Sequence, residues 1–216
     1  MIYVIGIGPG HRNYILPKAI ETIKQCDMII GAKRNLDSVR EECRQTLELK
    51  NNFDEIKKYI IKNSHKMIGV IVSGDAGFYS LLAYVKRHVD EERIEVIPGI
   101  SSLQYMFSKM KTGYENSKWT SYHGREGIAY NDMVSGLLEG MSFAILTDAV
   151  HTPESIRKEL LKVIKVIEEP FFLKDITVTI GECLSYEDER ITKQSITKPL
   201  NKAIDPLCVM VIMYEG

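Results

Sequence analysis

The chain opens with an apolar segment that runs directly into a loop of glycine and proline, Tyr3-Val4-Ile5-Gly6-Ile7-Gly8-Pro9-Gly10. Glycine has no side chain and tolerates positive φ, so such a loop brings bare backbone amides close to a bound molecule. Open α/β sheets bind their ligands at the carboxyl ends of parallel strands. The opening residues therefore predict an α/β fold that binds a small ligand.

The same segment departs from the dinucleotide-binding fingerprint, which needs three glycines spaced G-x-G-x-x-G at the start of a helix. Gly6 and Gly8 fit the first two positions, but His11 stands at the third. An acidic residue should also close the second strand about 20 residues further on, and the sequence there reads Gly31-Ala32-Lys33-Arg34. We therefore do not expect NAD or FAD to bind.

Composition is that of an ordinary globular protein, with 44% hydrophobic and 26% charged residues among 216. The net charge of −1 provides no overall field that would favour nucleic acid or a membrane surface. No apolar run is long enough to cross a bilayer, and no signal peptide is visible. The four cysteines lack C-x-x-C spacing, which favours free thiols in a reducing cytoplasm and no metal site: Cys26, Cys43, Cys183 and Cys208.

The first half of the chain alternates strand and helix patterns, which predicts a mostly parallel sheet with right-handed crossovers. The continuous apolar run at 67–72 is typical of a strand buried on both faces. The predicted strands cover residues 3–7, 28–30, 67–72 and 94–97, and the predicted helices cover 17–26, 36–43, 53–63, 78–88 and the segment that ends at 108.

The second half predicts another α/β domain, with a mixed sheet. A polar segment at 109–118 is interpreted as the linker, so the predicted domains are 1–111 and 112–216. The predicted strands cover 119–122, 142–146, 176–180, 190–197 and 207–214, and the predicted helices cover 131–138 and 153–167.

Three glycine-bearing loops follow strands in the first half, at residues 6–10, 73–80 and 98–102. Each loop alone is an ordinary turn, but three at the same edge of a parallel sheet would build one cleft. No phosphate-binding loop of the G-x-x-x-x-G-K-[ST] type is present. Asp75 suits a ligand that carries positive charge or hydroxyl groups, such as S-adenosylmethionine. Asp75 could also cap a helix by accepting a backbone N–H two or three residues on, and the two roles are compatible.

These three strings, in this order and spacing, resemble the tetrapyrrole methylase family, the class III S-adenosylmethionine-dependent methyltransferases. Ser121-Tyr122-His123-Gly124-Arg125 and the segment 181–191 resemble the branch that methylates C5 of a precorrin in cobalamin synthesis. The resemblance covers essentially the whole chain. It implies two α/β domains with a ligand trough between them, a homodimer, S-adenosylmethionine as methyl donor and no metal held by the protein. Family members usually carry proline where this chain has Ala76.

Residue by residue, the resemblance assigns one set of side chains to the methyl donor: Pro9, Asp75, Phe78, Ser101, Ser102, Leu146 and Thr147. Arg125 is a candidate for binding the carboxylates of the substrate, because arginine can pair with a carboxylate in a bidentate manner. Lys33 and Arg34, which leave the second predicted strand near the same edge, are further candidates for this role. Arg125 could equally be a surface ion-pair partner. His123 is the candidate acid–base group, although a lone histidine is often structural.

Arg190, beside Glu187, Asp188 and Glu189, is expected to be an internal ion-pair partner. The length of the chain leaves no room for a second methyltransferase domain of the kind that acts at C15, so the resemblance implies a separate C15-methyltransferase/decarboxylase partner. Two alternatives stay open. One is the same family acting at another tetrapyrrole position, on a sirohaem precursor, or on a protein or RNA. The other is a module that binds S-adenosylmethionine or a tetrapyrrole without turnover.

Overall fold

The computed structural model describes residues 1–50, 52–122, 129–166, 170–200 and 208–215. The chain divides into two compact units, Met1–Ser102 and Leu103–Gly216. These units are defined by contacts within the folded chain. The domain boundary predicted from the sequence, after residue 111, therefore stays a prediction. None of the helices in the described ranges combines the length and apolarity needed to span a bilayer.

The first unit is built on a five-stranded sheet in which every pairing is parallel. Its strands are β1 (Ile2–Gly6), β2 (Met28–Gly31), β3 (Thr46–Glu48), β4 (Ile68–Val72) and β5 (Ile94–Ile97). Their order across the sheet is β3-β2-β4-β1-β5. All carboxyl ends therefore lie at the same edge, as the alternating strand and helix patterns predicted.

Helices cover both faces of this sheet. They are α1 (Pro17–Gln25), α2 (Lys33–Ser38), α3 (Phe53–Lys62) and α4 (Leu82–Lys86), with short 3-10 helices at Arg12–Tyr14, Arg40–Glu42 and Glu91–Arg93. Side chains of β1 alternate between two apolar clusters: Val4 joins Ile56 and Ile60 of α3, and Ile5 joins Ile23 of α1. Because both faces are covered, β4 is buried along its whole length, which explains its unbroken apolar sequence.

Two predicted helices of this unit are wrong in extent, and one strand was missed. The helix expected over 78–88 is reduced to α4, because Tyr79 has a φ of 48° and the Ser80 hydroxyl binds the backbone on either side of it. The helix expected over 36–43 is α2 followed by a separate 3-10 turn. Strand β3 has three residues, too few to show the period of two that identifies a strand.

The second unit contains a mixed five-stranded sheet, as predicted. Its elements are α5 (Ser102–Met110, which starts at the unit boundary), β6 (Ser117–Ser121), α6 (Tyr130–Leu138), β7 (Ser142–Leu146), α7 (Pro153–Val166), a 3-10 helix (Pro170–Asp175), β8 (Ile176–Glu182), β9 (Arg190–Ser195) and β10 (Cys208–Tyr214). The strand order is β6-β7-β10-β8-β9. Only the β6–β7 pairing is parallel among the described strands of this sheet.

The pairing directions decide which loops of this unit share an edge. Strand β10 runs antiparallel to both β7 and β8, so β6, β7 and β8 all point the same way. The ends of these three strands, at Ser121, Leu146 and Glu182, therefore lie at one edge of the sheet. The register places Cys208 and Arg190, at the starts of β10 and β9, opposite Glu182 at the same edge.

Candidate functional site

The first and second glycine loops of the first unit are joined by backbone hydrogen bonds beyond the ends of β1 and β4. The Gly8 amide donates to the Gly74 carbonyl at 3.1 Å, and the Gly74 amide donates to the Gly8 carbonyl at 2.7 Å. Both glycines have positive φ, 80° at Gly8 and 66° at Gly74, which a side chain would disfavour. The two loops are thus joined by an isolated antiparallel bridge beyond the ends of their parallel strands.

The third loop packs against the other two, backbone on backbone. A Cβ atom placed on Gly99 would lie 2.2 Å from Gly74 O and 2.7 Å from Gly6 C. A Cβ atom on Gly6 would lie 2.8 Å from Gly99 N, closer than real Cβ atoms come to any neighbour. The predicted convergence of the three loops at one edge is therefore confirmed, and we call this arrangement of Gly6, Gly74 and Gly99 the glycine rim.

Asp75 ties the second loop to the third. Its Oδ1 accepts a hydrogen bond from the Gly77 amide at 2.8 Å, and its Oδ2 accepts one from the Gly99 amide at 3.0 Å. The Gly77 contact has the spacing expected of a cap, but no helix starts there, so it closes a turn. An ionised carboxylate has about four acceptor positions, and the two amides leave two for a ligand.

The remaining residues that the resemblance assigns to the donor in this unit lie beside the rim. Pro9 follows Gly8 and is half-buried, and the ring of Phe78 packs edge-on against Tyr79, with the ring centroids 4.7 Å apart. Ser101 is buried, and its Cα lies 3.6 Å from the position of a Gly74 Cβ. Ser102 starts α5. The structure thus brings these residues together around the three loops, and their contact with a donor stays a prediction.

The two basic residues after β2 are placed at the same edge. Arg34 Nη2 donates to Ser73 Oγ at 3.0 Å, and Ser73 Oγ donates to Asn35 Oδ1 at 3.0 Å. Arg34 is therefore held against the start of the second loop, while Lys33 is exposed on the first turn of α2. Neither forms a salt bridge to a carboxylate within the described ranges, which leaves their charges available to an anionic ligand.

The predicted site residues of the second unit are His123, Arg125, Leu146 and Thr147. His123 and Arg125 lie outside the described residues. Leu146 ends β7 opposite Val209 of β10. The Thr147 hydroxyl donates to the Cys208 carbonyl at 3.0 Å and lies 2.7 Å from Cys208 Sγ, so this buried side chain binds the start of β10.

The loop between β8 and β9 is anchored by ion pairs. Arg190 forms the predicted ion pair, but its partner is the buried Glu182 at 2.9 Å across the strand pair, rather than one of the adjacent acidic residues. Glu189 instead accepts from Lys109 Nζ at 2.9 Å and from the Ser185 amide at 2.7 Å. Burial is the largest single influence on Glu189 and opposes its ionisation, but the hydrogen bonds from Lys109, the Ser185 amide and Tyr105 together outweigh burial and lower the pKa of that carboxyl.

Asp148 follows Leu146 and Thr147 in the segment that the resemblance places beside the adenosine part of the donor, but its pairing with His151 was not predicted from the sequence. His151 Nδ1 lies 3.3 Å from Asp148 Oδ1, in the turn between β7 and α7. The ring of Tyr122, which follows β6, packs edge-on against the imidazole with 6.0 Å between centroids. The spacing D-x-x-H before a threonine and a proline was visible in the sequence, but only the fold places Tyr122 beside it.

No group of three or more histidine, cysteine or acidic side chains in the described part of the chain is arranged to hold a metal ion. None of the four cysteines forms a disulfide bond in the described part of the chain. Burial raises the pKa of the Cys26 thiol to about 12 and that of Cys43 to about 11, so both stay protonated at neutral pH.

The chain is similar to known proteins over its whole length. Residues 1–199 match the family model described as tetrapyrrole (corrin/porphyrin) methylases. A probable cobalt-precorrin-7 C(5)-methyltransferase of Methanocaldococcus jannaschii is 32% identical, with 100% of this chain and 98% of the relative covered. The cobalt-precorrin-7 C(5)-methyltransferase of Salmonella typhimurium is 29% identical, with 88% and 89% covered. The crystal structure of a precorrin-6Y methylase from Archaeoglobus fulgidus shares the fold, with a TM-score of 0.73, 22% identity, and 100% and 99% covered.

Proposed function

The chain belongs to the tetrapyrrole methylase family, and from that premise we propose that it is the S-adenosylmethionine-dependent enzyme that methylates C5 of cobalt-precorrin-7 in cobalamin synthesis. The observation that carries this proposal is the 32% identity, over the whole chain, to a relative described as a probable cobalt-precorrin-7 C(5)-methyltransferase. The glycine rim provides independent physical support for a small ligand at the carboxyl edge of the first sheet.

The residues around the rim fit a methyl donor of this kind. Three glycines leave the backbone bare at one place, where a side chain on Gly99 would collide with Gly74. Within the described residues, two amides bind the Asp75 carboxylate, and its remaining acceptor positions suit the hydroxyls of a ribose or an ammonium group. We propose that Pro9, Asp75, Phe78, Ser101 and Ser102 hold the donor in the first unit. Leu146 and Thr147 are proposed to contact it from the second.

Methyl transfer from S-adenosylmethionine requires no nucleophilic side chain that forms a covalent intermediate. S-adenosylmethionine supplies a methyl group that its positively charged sulfur already activates. The task of the chain is to hold C5 and the methyl carbon in line at about 3 Å, which can contribute several kcal/mol toward the barrier. Lys33 and Arg34, whose charges are free of salt bridges in the described ranges, are proposed to bind substrate carboxylates and so set the position of the ring.

The defining experiment incubates the purified chain with S-adenosylmethionine and cobalt-precorrin-7. We expect mass spectrometry to find a product with one additional methyl group, and NMR with a ¹³C-labelled methyl donor to locate it at C5. A methyl group at another carbon would show that the chain methylates a different tetrapyrrole position, and the proposal for C5 would be wrong. Donor binding without any methylated product would favour a binding module. Absence of donor binding in isothermal titration would exclude both the methyltransferase and a module that binds S-adenosylmethionine.

The assembly is a further part of the proposal. We infer a homodimer and a separate enzyme for the C15 step, as the family resemblance implies. Light scattering on the purified chain is expected to give twice the mass of one chain, 24.6 kDa. A monomeric mass would show that the inference of a homodimer is wrong, and the proposed methylation of C5 would be unaffected.

A further inference from the structure

Methylation of C5 by the proposed reaction leaves one further chemical requirement, the removal of a proton from the ring. When C5 forms its bond to the methyl carbon, the electrons of the S–CH₃ bond go to sulfur, and the ring system takes over the positive charge. Loss of one proton from the ring restores neutrality. A group that accepts this proton accelerates turnover if it lies within hydrogen-bond reach of the substrate.

The turn after β7 holds an imidazole in a defined orientation. Asp148 Oδ1 accepts from the Val150 amide at 2.9 Å and from the His151 amide at 2.5 Å. The Asp148 amide in turn donates to the His151 carbonyl at 3.3 Å. Thr152 continues directly into α7 and accepts from the Ser155 amide at 3.2 Å. The backbone at His151 is thereby fixed on both sides.

The carboxylate also selects which ring nitrogen carries the hydrogen. His151 Nδ1 lies 3.3 Å from Asp148 Oδ1 and 3.5 Å from Oδ2, so the neutral ring keeps its hydrogen on Nδ1. Nε2 then presents a lone pair. In the described part of the chain Nε2 has no hydrogen-bond partner, and the side chain is 22% exposed. An oriented imidazole with an open Nε2 is the arrangement that a general base requires.

The turn itself does not need a histidine. Its hydrogen bonds to Asp148 come from backbone amides, which any residue at position 151 except proline would supply. The imidazole is therefore additional to the structural role of the turn. Two ionisable side chains in the described ranges face it, Asp148 from the same turn and Tyr122 from the end of β6.

The position of His151 in the fold agrees with a role as proton acceptor for the substrate. The turn begins with Leu146 and Thr147, which are proposed to contact the donor, and it lies at the edge where β6, β7 and β8 all end. We propose that His151 Nε2 accepts the proton released on C5 methylation and that Asp148 is the residue that positions it. This inference rests on the proposed function. The imidazole gains one proton, the ring loses one, and the charges balance.

The test uses His151→Gln, which keeps the backbone amide and removes the base, with His65→Gln at an exposed position of the first unit as the matched control. We expect kcat of His151→Gln to fall roughly 100-fold while KM for the donor changes less than about threefold. The control is expected to match the unmodified chain. In His151→Ala, added imidazole is expected to restore part of the lost kcat.

Asp148 is tested by Asp148→Asn, which keeps an oxygen acceptor for the turn but removes the negative charge beside Nδ1. We expect a smaller fall in kcat than for His151→Gln. The unmodified chain is expected to lose kcat toward acidic pH, because a protonated imidazole accepts no proton. This acidic limb should be absent from the residual activity of His151→Gln.

The outcomes separate this inference from the proposed function. If the unmodified chain methylates C5 and His151→Gln retains its kcat and its acidic limb, the assignment of His151 is wrong and the function stands. If kcat falls without rescue by imidazole and without a change in the pH profile, His151 is structural and the assignment is again overturned. If the unmodified chain makes no methylated product, the proposed function itself fails.

Discussion

Asp75 accepts hydrogen bonds from two backbone amides, one in its own loop and one in the next. The two residues it joins, Gly77 and Gly99, are far apart in sequence, so one carboxylate sets the distance between two loops. Hydrogen bonds that a charged group accepts typically contribute about 1.5–3 kcal/mol each. The same side chain keeps acceptor positions for a ligand, so its structural and binding roles do not compete.

Replacement of Asp75 by alanine tests both roles. We expect Asp75→Ala to lower the free energy of unfolding by about 1–3 kcal/mol, because two backbone amides lose their acceptor. The loss is smaller than the sum for two buried bonds, because Asp75 is only partly buried and water can reach the freed amides. Donor affinity in isothermal titration is expected to fall at least about 10-fold, which corresponds to about 1.4 kcal/mol. Asp75→Asn is the matched control, since its amide oxygen still accepts from Gly77 N, and it should lose less of both. Unchanged donor affinity in Asp75→Ala would leave the residue with a structural role only.

At the scale of elements, the glycine rim depends on strands that end at the same level. Strands β1, β4 and β5 are neighbours in the sheet, and the loops that follow them meet because all three run parallel. Close contact of three backbones leaves no volume for a side chain on Gly99. The rim is therefore sensitive to changes as small as one methyl group.

Gly99→Ala is expected to disrupt the rim. Its Cβ would lie 2.2 Å from Gly74 O, so the third loop must move, at a cost of about 1–3 kcal/mol, and donor binding should be lost. Gly140→Ala is the control: Gly140 has a φ of 79° but no atom within 4 Å of its added Cβ, so backbone strain of about 1–2 kcal/mol is its main effect. Equal donor affinity in the two variants, by isothermal titration, would contradict the assignment of the rim.

Helix α7 is fastened to the segment after β9 by one ion pair. Arg157 donates to both oxygens of Glu154, at 2.6 and 2.8 Å, and to the Ile196 carbonyl at 2.9 Å. Glu154 also accepts from the Leu200 amide at 2.9 Å. The hydrogen bond from Arg157 is the main cause that lowers the pKa of Glu154 from its usual 4.5 to about 2.

This shift predicts a dependence of stability on pH. A carboxyl whose pKa is lower in the folded chain stabilises the fold above its unfolded value, and the contribution is lost as the pH falls. Glu154 should therefore stabilise the chain fully above pH 4.5 and progressively less toward pH 2, by about 1–3 kcal/mol in total. Urea unfolding of Glu154→Gln is expected to give lower stability at neutral pH and a flatter profile across this range. Parallel profiles for the variant and the unmodified chain would show that the pair contributes nothing measurable.

At the scale of the whole molecule, two units of similar size each carry a five-stranded sheet with its own apolar core. Each unit gathers candidate residues at one edge of its sheet: the glycine rim in the first, and Leu146, Thr147 and His151 in the second. The single tryptophan, Trp119, lies in the second unit and stacks on Phe107 with ring centroids 6.1 Å apart. Its fluorescence therefore reports on the unit in which it lies, the second.

If the donor is held by residues of both units, its binding should stabilise both. A donor concentration 100 times Kd is expected to add about 2.7 kcal/mol, and the thermal transition followed by Trp119 fluorescence should rise together with the one followed by calorimetry. Gly99→Ala provides the control, because it should abolish both shifts. A donor that raises the calorimetric transition but leaves the Trp119 transition unchanged would restrict the site to the first unit.

The pattern of residues along the chain was enough to predict the two α/β domains, nearly every strand, the three loops and the family. Strand and helix periods are local properties, and glycine loops that follow strands mark the binding edge of a parallel sheet. Local patterns failed where an element was too short to show a period, as in β3, or where a side chain interrupted a helix, as Ser80 does before α4.

Tertiary structure alone decided which distant groups meet. It joined Asp75 to Gly99, paired Arg190 with Glu182 rather than with its sequence neighbours, and placed Tyr122 against His151. These contacts depend on strand order, direction and register, which set the positions of loops many residues apart. The residue types at each loop were readable in the sequence, but the distances between them follow only from the strand order, direction and register within each sheet.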